Sequence, residues 1–146
     1  MSSFKKILVS TDRSELSDRA IHAAIELAQE SGAKLIAVTV VKPDPYAGMA
    51  GRQSEAIDSH FARQRIEAEA CLHDLRAAAE SAHIECDVLT KETDTPWEGI
   101  VEAAEEEDCD LIVMATRARG LWSTLWRRSQ MQAVLANSKR PVLVYR

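Results

Sequence analysis

The sequence predicts an α/β protein, a single open sheet of five parallel strands with helices on both faces, in one domain spanning residues 1–146. Two observations carry this expectation. Short apolar runs rich in Val, Ile and Leu alternate with longer segments whose apolar residues recur at helical spacing, the signature of strands joined by helical crossovers. The runs themselves are nearly continuous in hydrophobicity, as strands buried on both faces require.

The first strand is read at residues 6–11 (KILVST). Leu16, Ala20, Ala23, Leu27 and Ala28 follow at helical spacing, with Ser14 as N-cap and Gly32 as the stop. Residues 34–41 (KLIAVTVV) form the second strand. The next segment, 42–54, holds two prolines and two glycines and reads as a mobile loop at the carboxyl edge of that strand, where open α/β sheets bind ligands. Ile57, Phe61, Ala68, Leu72, Leu75 and Ala79 trace a second helix interrupted at Arg65, and residues 84–90 (IECDVLT) a third strand. Thr95, Pro96, Trp97 and Glu98 spell a capping box with proline at the first helical position, leading the stripe Ile100, Val101 and Ala104. The acidic run at 105–108 is a solvated helix face. Residues 110–115 (DLIVMA) and 140–145 (RPVLVY) are the last strands, and Ser129 with Gln132 is a second capping box opening a helix that runs through Val134 and Leu135 to Asn137.

Composition narrows the classes. With 46% hydrophobic and 28% charged residues the chain is globular, and no apolar run approaches the length that spans a bilayer, so no membrane partner is expected. The N-terminal MSSFKKILVSTD has two lysines but no long apolar region or cleavage site, which predicts a cytoplasmic protein. Cys71, Cys86 and Cys109 are odd in number, widely spaced and without a C-x-x-C pair, so they read as structural thiols. His22, His60, His73 and His83 show no metal-ligand pairing, and no metal is expected. The net charge of −5 conceals an asymmetry: from residue 115 onward there are seven basic residues and no acid, +7, which leaves −12 for the remainder. A polarised chain of this kind presents a local anion-binding surface, whereas an acidic total argues against nucleic acid as a partner.

The functional signal lies at residues 110–146, where a buried strand, an arginine-rich loop, a helix and a final strand succeed one another. A strand that delivers a loop onto a helix N-terminus is how α/β proteins hold nucleotide phosphates, because unpaired N–H groups and the helix dipole both favour an anion. Catalysis, by contrast, needs an activated nucleophile or a placed acid and base, and neither a P-loop lysine nor a G-x-S-x-G elbow is present. No catalytic residue is assigned.

These residues resemble the universal stress protein family over essentially the whole chain. ILVSTDRSELSDRAI resembles the family's opening strand, acidic turn and first helix; IVEAAEEEDCDLIVMATRARG its third helix and fourth strand; KRPVLVYR its closing strand. The resemblance implies a Rossmann-like five-stranded parallel sheet, a cytoplasmic stress-response role and a homodimer whose last strands, between Pro141 and Tyr145, meet at the sheet edges. It also implies two branches. Nucleotide-binding members carry a glycine, two residues, a second glycine, nine residues, then glycine and Ser/Thr, and the other branch lacks these and does not bind ATP. Those positions are here Ala115, Ala118, Arg128 and Ser129, so only the hydroxyl is kept.

The loss has a physical meaning. Glycine in a phosphate loop takes positive φ and lets N–H groups approach the anion without a Cβ in the way, and alanine at such a position costs on the order of 1 kcal/mol. Against this, Arg117, Arg119, Arg127 and Arg128 can replace backbone donors with guanidinium forks. Thr11 and Asp12 fall at the carboxyl end of the first strand, where the family's acidic residue meets adenine and ribose; the other reading of Asp12 is a helix cap beside Ser14. Arg13 crowds the same mouth. Val40 and Met114 match positions lining the adenine pocket and serve equally as core residues, and Ser129 is either an N-cap or a phosphate ligand. Trp122 and Trp126, with Leu121 and Leu125, make one apolar helical face suited to packing or to a partner, and Trp97 packs a helix start.

Three functions follow in order. First is a non-enzymatic stress-response homodimer that works through an unidentified protein partner, has no cofactor and binds no ATP tightly. The alternative is an ATP- or AMP-binding regulatory module built from Thr11, Asp12, Val40, Met114, Ala115, Arg117, Ala118, Arg128 and Ser129. A nucleotide hydrolase comes last.

Overall fold

The computed structural model describes residues 4–11, 15–43, 55–115 and 121–145. Strands and helices alternate strictly through β1 (Lys6–Ser10), α1 (Glu15–Ser31), β2 (Lys34–Val41), α2 (Glu55–Ser81), β3 (Cys86–Glu92), α3 (Pro96–Glu106), β4 (Leu111–Ala115), α4 (Leu121–Asn137) and β5 (Val142–Tyr145). The strands form one five-stranded sheet in the order β3-β2-β1-β4-β5, every pairing parallel. The chain steps outward from β1 to β3, returns past β1 to β4, and steps outward again to β5. With right-handed crossovers that reversal sends α1 and α2 to one face and α3 and α4 to the other.

The pleat divides the apolar strand residues accordingly. Ile7, Val9, Leu35, Ala37 and Val113 join Ala20, Ala24, Ala28, Leu72, Leu75 and Ala79 in one core layer. Leu8, Ile36, Val38, Ile112 and Met114 join Ile100, Ala103, Ala104 and Val134 in the other. Full burial of each Ile, Leu or Val contributes about 1.5–3 kcal/mol, so the central strands are the most strongly determined part of the fold. The buried α1 stripe is mostly alanine, which lets that helix lie close to the sheet. Among the described residues no helix is long and apolar enough to cross a membrane.

Each of the first three helices leaves by the same device. Gly32, His83 and Asp108 have φ of 69°, 62° and 54°, and each is followed by a buried residue, Ala33, Ile84 or Cys109. The N–H of that residue returns to a carbonyl in the last helical turn: Ala33 to Ala28 at 2.9 Å, Ile84 to Ala79 at 2.8 Å and Cys109 to Ala104 at 2.9 Å. This is the Schellman stop, with its apolar contact to the helix, and only the glycine of the three was visible as a stop in the sequence.

The strand starts are tied by charge and by hydrogen bonds. Asp110 accepts the N–H groups of Lys5 at 2.8 Å and Lys6 at 3.2 Å, joining the beginnings of β1 and β4. Lys34 pairs with Asp87 at 2.7 Å, and this partner raises the lysine pKa and lowers that of the aspartate.

Several expected boundaries shift. The third strand is expected at 84–90 but runs Cys86–Glu92, because Ile84 belongs to the helix stop and the edge strand continues with Lys91 paired to Glu106 and Glu92 to Arg65. That same Arg65 leaves α2 unbroken, contrary to the expected interruption. Thr95 occupies the N-cap of α3 but makes no side-chain cap bond. Its own N–H donates to the Thr93 hydroxyl, while the N–H of Trp97 donates to Gln130 Oε1 on α4 at 3.0 Å. The orphan donor is therefore met from another helix. Last, α4 begins at Leu121, so Ser129 stands inside the helix and does not open it. The expected cap and the loop at 42–54 differ in status, for positions 44–54 lie outside the described residues.

Candidate functional site

The chain reverses its order between β1 and β4, and the crevice beyond the carboxyl ends of those strands is where an open α/β sheet receives a ligand. Thr11 closes β1 at this crevice. Its N–H donates to the Val38 carbonyl at 3.0 Å and its carbonyl accepts the Thr39 hydroxyl at 3.2 Å, so the backbone is fixed on both sides. The side chain is buried, with Oγ1 3.7 Å from Cys71 Sγ on α2. Asp12 follows directly and lies outside the described residues, as do Arg13 and Ser14.

Val40 and Met114 come to the same end of the sheet but on its other face. Met114 is buried in the layer beneath α3 and α4, and half-buried Val40 packs against that layer. Behind Val40 stands Gly99 of α3, where a Cβ would lie 3.1 Å from Thr93 Cγ2, 3.3 Å from Lys91 Cβ and 3.4 Å from Val40 Cγ2. The first two of these contacts are tighter than an ordinary Cβ makes, so a larger side chain there would push the helix away from the strand ends. Gly99, Cys71 and Gln130 are thus the neighbours of the site that the motif reading missed. A glycine inside a helical pattern was the one available signal, since it marks a close approach.

The phosphate half is less complete. Ala115 ends β4 in register with Tyr145 of β5. Arg117, Ala118 and Arg119 lie outside the described residues. Arg127 and Arg128 belong to α4 and so are not loop residues, and Ser129 is exposed on that helix. Of the four arginines expected on one loop, Arg127 and Arg128 are therefore on a helix, and Arg117 and Arg119 are among the residues not described. The structure brings Thr11, Val40, Met114 and Ala115 to one end of the sheet and leaves Ser129 without the N-terminal N–H geometry expected of it.

Burial pushes Cys86 and Cys109 each up to about 11, which keeps them neutral at ordinary pH, and all three cysteines are free. Among the described residues no group of three His, Cys, Asp or Glu side chains could hold a metal ion.

Comparisons with known proteins place this geometry. The model of the universal stress protein family matches residues 3–146. A universal stress protein of Thermus aquaticus is 36% identical over 145 residues, covering 98% of this chain and 99% of the relative. Another, of Methanocaldococcus jannaschii, is 31% identical over 141 residues, covering 97% of this chain and 81% of the relative. Among solved structures, a universal stress protein in complex with cAMP superposes with a TM-score of 0.71 at 26% identity, covering 98% and 97% of the two chains.

Proposed function

Since the chain belongs to the universal stress protein family, we propose that it is a non-enzymatic, cytoplasmic stress-response protein that acts as a homodimer through contacts with a further protein and holds ATP at most weakly. The observation that carries this reading is the state of the phosphate positions. Where nucleotide-binding relatives are expected to hold glycines stand Ala115, Ala118 and Arg128, and the adjoining Ser129 is inside α4. Ala115 stands in β4 and Arg128 in α4, so neither takes the positive φ of a phosphate-loop glycine, and the obstruction is the Cβ or side chain in the phosphate space, on the order of 3 kcal/mol in all, roughly a hundredfold in Kd.

Support for assembly comes from the far edge of the sheet. β5 is an edge strand whose outer N–H and C=O groups need a partner, and Leu143 on it is 41% exposed. Beside Leu143 a shallow groove of about 210 Å³ runs against Ala23 and Leu27 of α1, with Glu26 and Glu30 on its rim. A second copy presenting the same strand satisfies both the edge and the apolar contact.

A second reading is favoured by the cAMP complex of the relative at 26% identity. On that reading the adenine half of this chain's crevice, with Val40, Met114 and Thr11, takes an adenine nucleotide whose single phosphate makes smaller demands on the missing glycines.

Calorimetry decides between them. The unaltered protein is expected to bind ATP no more tightly than about 0.5 mM, while Ala115→Gly, Ala118→Gly and Arg128→Gly together create measurable affinity. Micromolar cAMP binding with weak ATP binding selects the second reading; tight, magnesium-dependent ATP binding by the unaltered chain rejects the first. Light scattering that finds only monomer at micromolar concentration removes the assembly half.

A further inference from the structure

At the amino-terminal edge of the sheet, on the far side of the molecule from the crevice, a groove of about 650 Å³ opens between the starts of β1, β4 and β5. Lys5, Lys6, Lys139 and Arg140 meet there with the carboxylates of Asp108 and Asp110. The two basic pairs come from opposite ends of the chain, and only the parallel register brings them together.

The charges do not cancel. Both oxygens of Asp110 accept strand N–H groups, which fixes that carboxylate in the floor of the groove. Lys6 Nζ donates to the Glu107 carbonyl at 2.8 Å, a bond that orients the ammonium and leaves its charge uncompensated. Arg140 Nε donates to the Cys109 carbonyl, and its guanidinium lies 3.7 Å from an Asp108 carboxylate that is 95% exposed, a weak pairing in water. Among the described residues, neither Lys5 nor Lys139 has a carboxylate at ion-pair distance. Four cations thus meet two carboxylates, a net charge of +2, in a cleft whose frame is already set by strand pairing, so little ordering cost opposes binding.

The volume falls within the ordinary range for small-ligand sites, but no aromatic side chain lines the groove, whose residues are four cations, two carboxylates, Cys109 and Pro141, so charge and not stacking selects the occupant. Cations come to the groove from the start of β1 and from the segment before β5, so a chain of linked phosphates, with several charges along its length, matches them better than a single oxyanion. We propose that this groove is a second anion site that takes a compact multivalent phosphate, a free oligophosphate or the phosphate tail of a nucleotide.

The test is an NMR titration of the full chain with inorganic tripolyphosphate at low salt, alongside ATP and sulfate at matched ionic strength. Tripolyphosphate is expected to shift the amides of Lys5, Lys6, Cys109, Lys139 and Arg140 in a saturable way. Lys5→Gln with Lys139→Gln should weaken it about tenfold, the lower end of what focused surface charge achieves, while Arg117→Gln with Arg119→Gln leaves these shifts unchanged. If ATP competes at equal concentration, the source is a nucleotide tail; if it does not, the source is a free oligophosphate. Equal shifts from sulfate, unchanged binding in the lysine double variant, or shifts confined to residues 115–129 would overturn the proposal. Since the two altered lysine side chains hold no other part of the chain, loss of binding in that variant is not loss of fold; the wild-type titration stands in either case.

Discussion

The three helix exits make a quantitative test of how the chain turns from helix to strand. At Gly32, φ is +69° and nothing lies within 4 Å of where a Cβ would stand, so Gly32→Ala changes the backbone term alone. An L-residue in the left-handed region costs about 1–2 kcal/mol, and the smaller conformational freedom of alanine in the unfolded chain returns about 0.4–1. The net loss is about 1 kcal/mol, or roughly 3 °C in Tm for a domain of this size. His83 and Asp108 occupy the same conformation at φ of 62° and 54° with exposed side chains, so replacement by glycine reverses the sign. His83→Gly should stabilise by about 0.5–1 kcal/mol, and Asp108→Gly by less because aspartate tolerates this region better. Urea unfolding followed by tryptophan fluorescence gives the order His83→Gly, Asp108→Gly, wild type, Gly32→Ala from most to least stable, with slopes unchanged. A Gly32→Ala midpoint at or above wild type, or a clear loss of stability in His83→Gly, refutes the argument.

Two further outcomes follow from packing and burial. Gly99→Val forces a branched side chain against Thr93, Lys91 and Val40, and should cost about 2 kcal/mol or more in urea unfolding, whereas Gly99→Ala, which gains about 1 kcal/mol of helix propensity, stays within about 1 kcal/mol of wild type; equal stability of the valine variant would show that α3 does not lie so close. Ellman's reagent should modify half-buried Cys71 first in the native protein, with Cys86 and Cys109 reacting only on unfolding, because burial both covers these two thiols and holds them near 11.

The strands and their order of burial were legible because the apolar runs are uninterrupted, and alternate residues then had to divide between two helix layers. The exits were not. Nothing in the local sequence of His83 or Asp108 names a left-handed residue; the conformation is set by burial of Ile84 and Cys109, which is a property of the assembled core. The start of α4 was hidden for a related reason. Leu121, Trp122 and Leu125 supply a helical stripe but no cap, whereas Ser129 and Gln132 spell a capping box that the longer helix overrides. In the site, Thr11, Val40 and Met114 were recognisable as ends of strands, but their division between the α2 face and the α3–α4 face follows from the pleat.

That earlier start of α4 bears on the phosphate positions more than the lost glycines alone do. An anion at a helix terminus is held by N–H groups that lack intrahelical acceptors, and these belong to the first turn. With α4 running from Leu121, the amides at Arg128 and Ser129 are interior and already bonded. Phosphate affinity at those two residues therefore needs more than the removal of a side chain; it needs the helix to end before them. Arg128→Gly acts on both terms, since it removes the side chain and weakens the helix by about 1 kcal/mol at that point. The triple glycine variant should accordingly gain nucleotide affinity together with a measurable loss of helical circular dichroism, part of which ATP restores. Affinity gained with no change in helix content would place the obstruction in the side chains alone, and lost helix with no affinity would mean that the sequence beyond Ala115 has diverged past rescue by glycine.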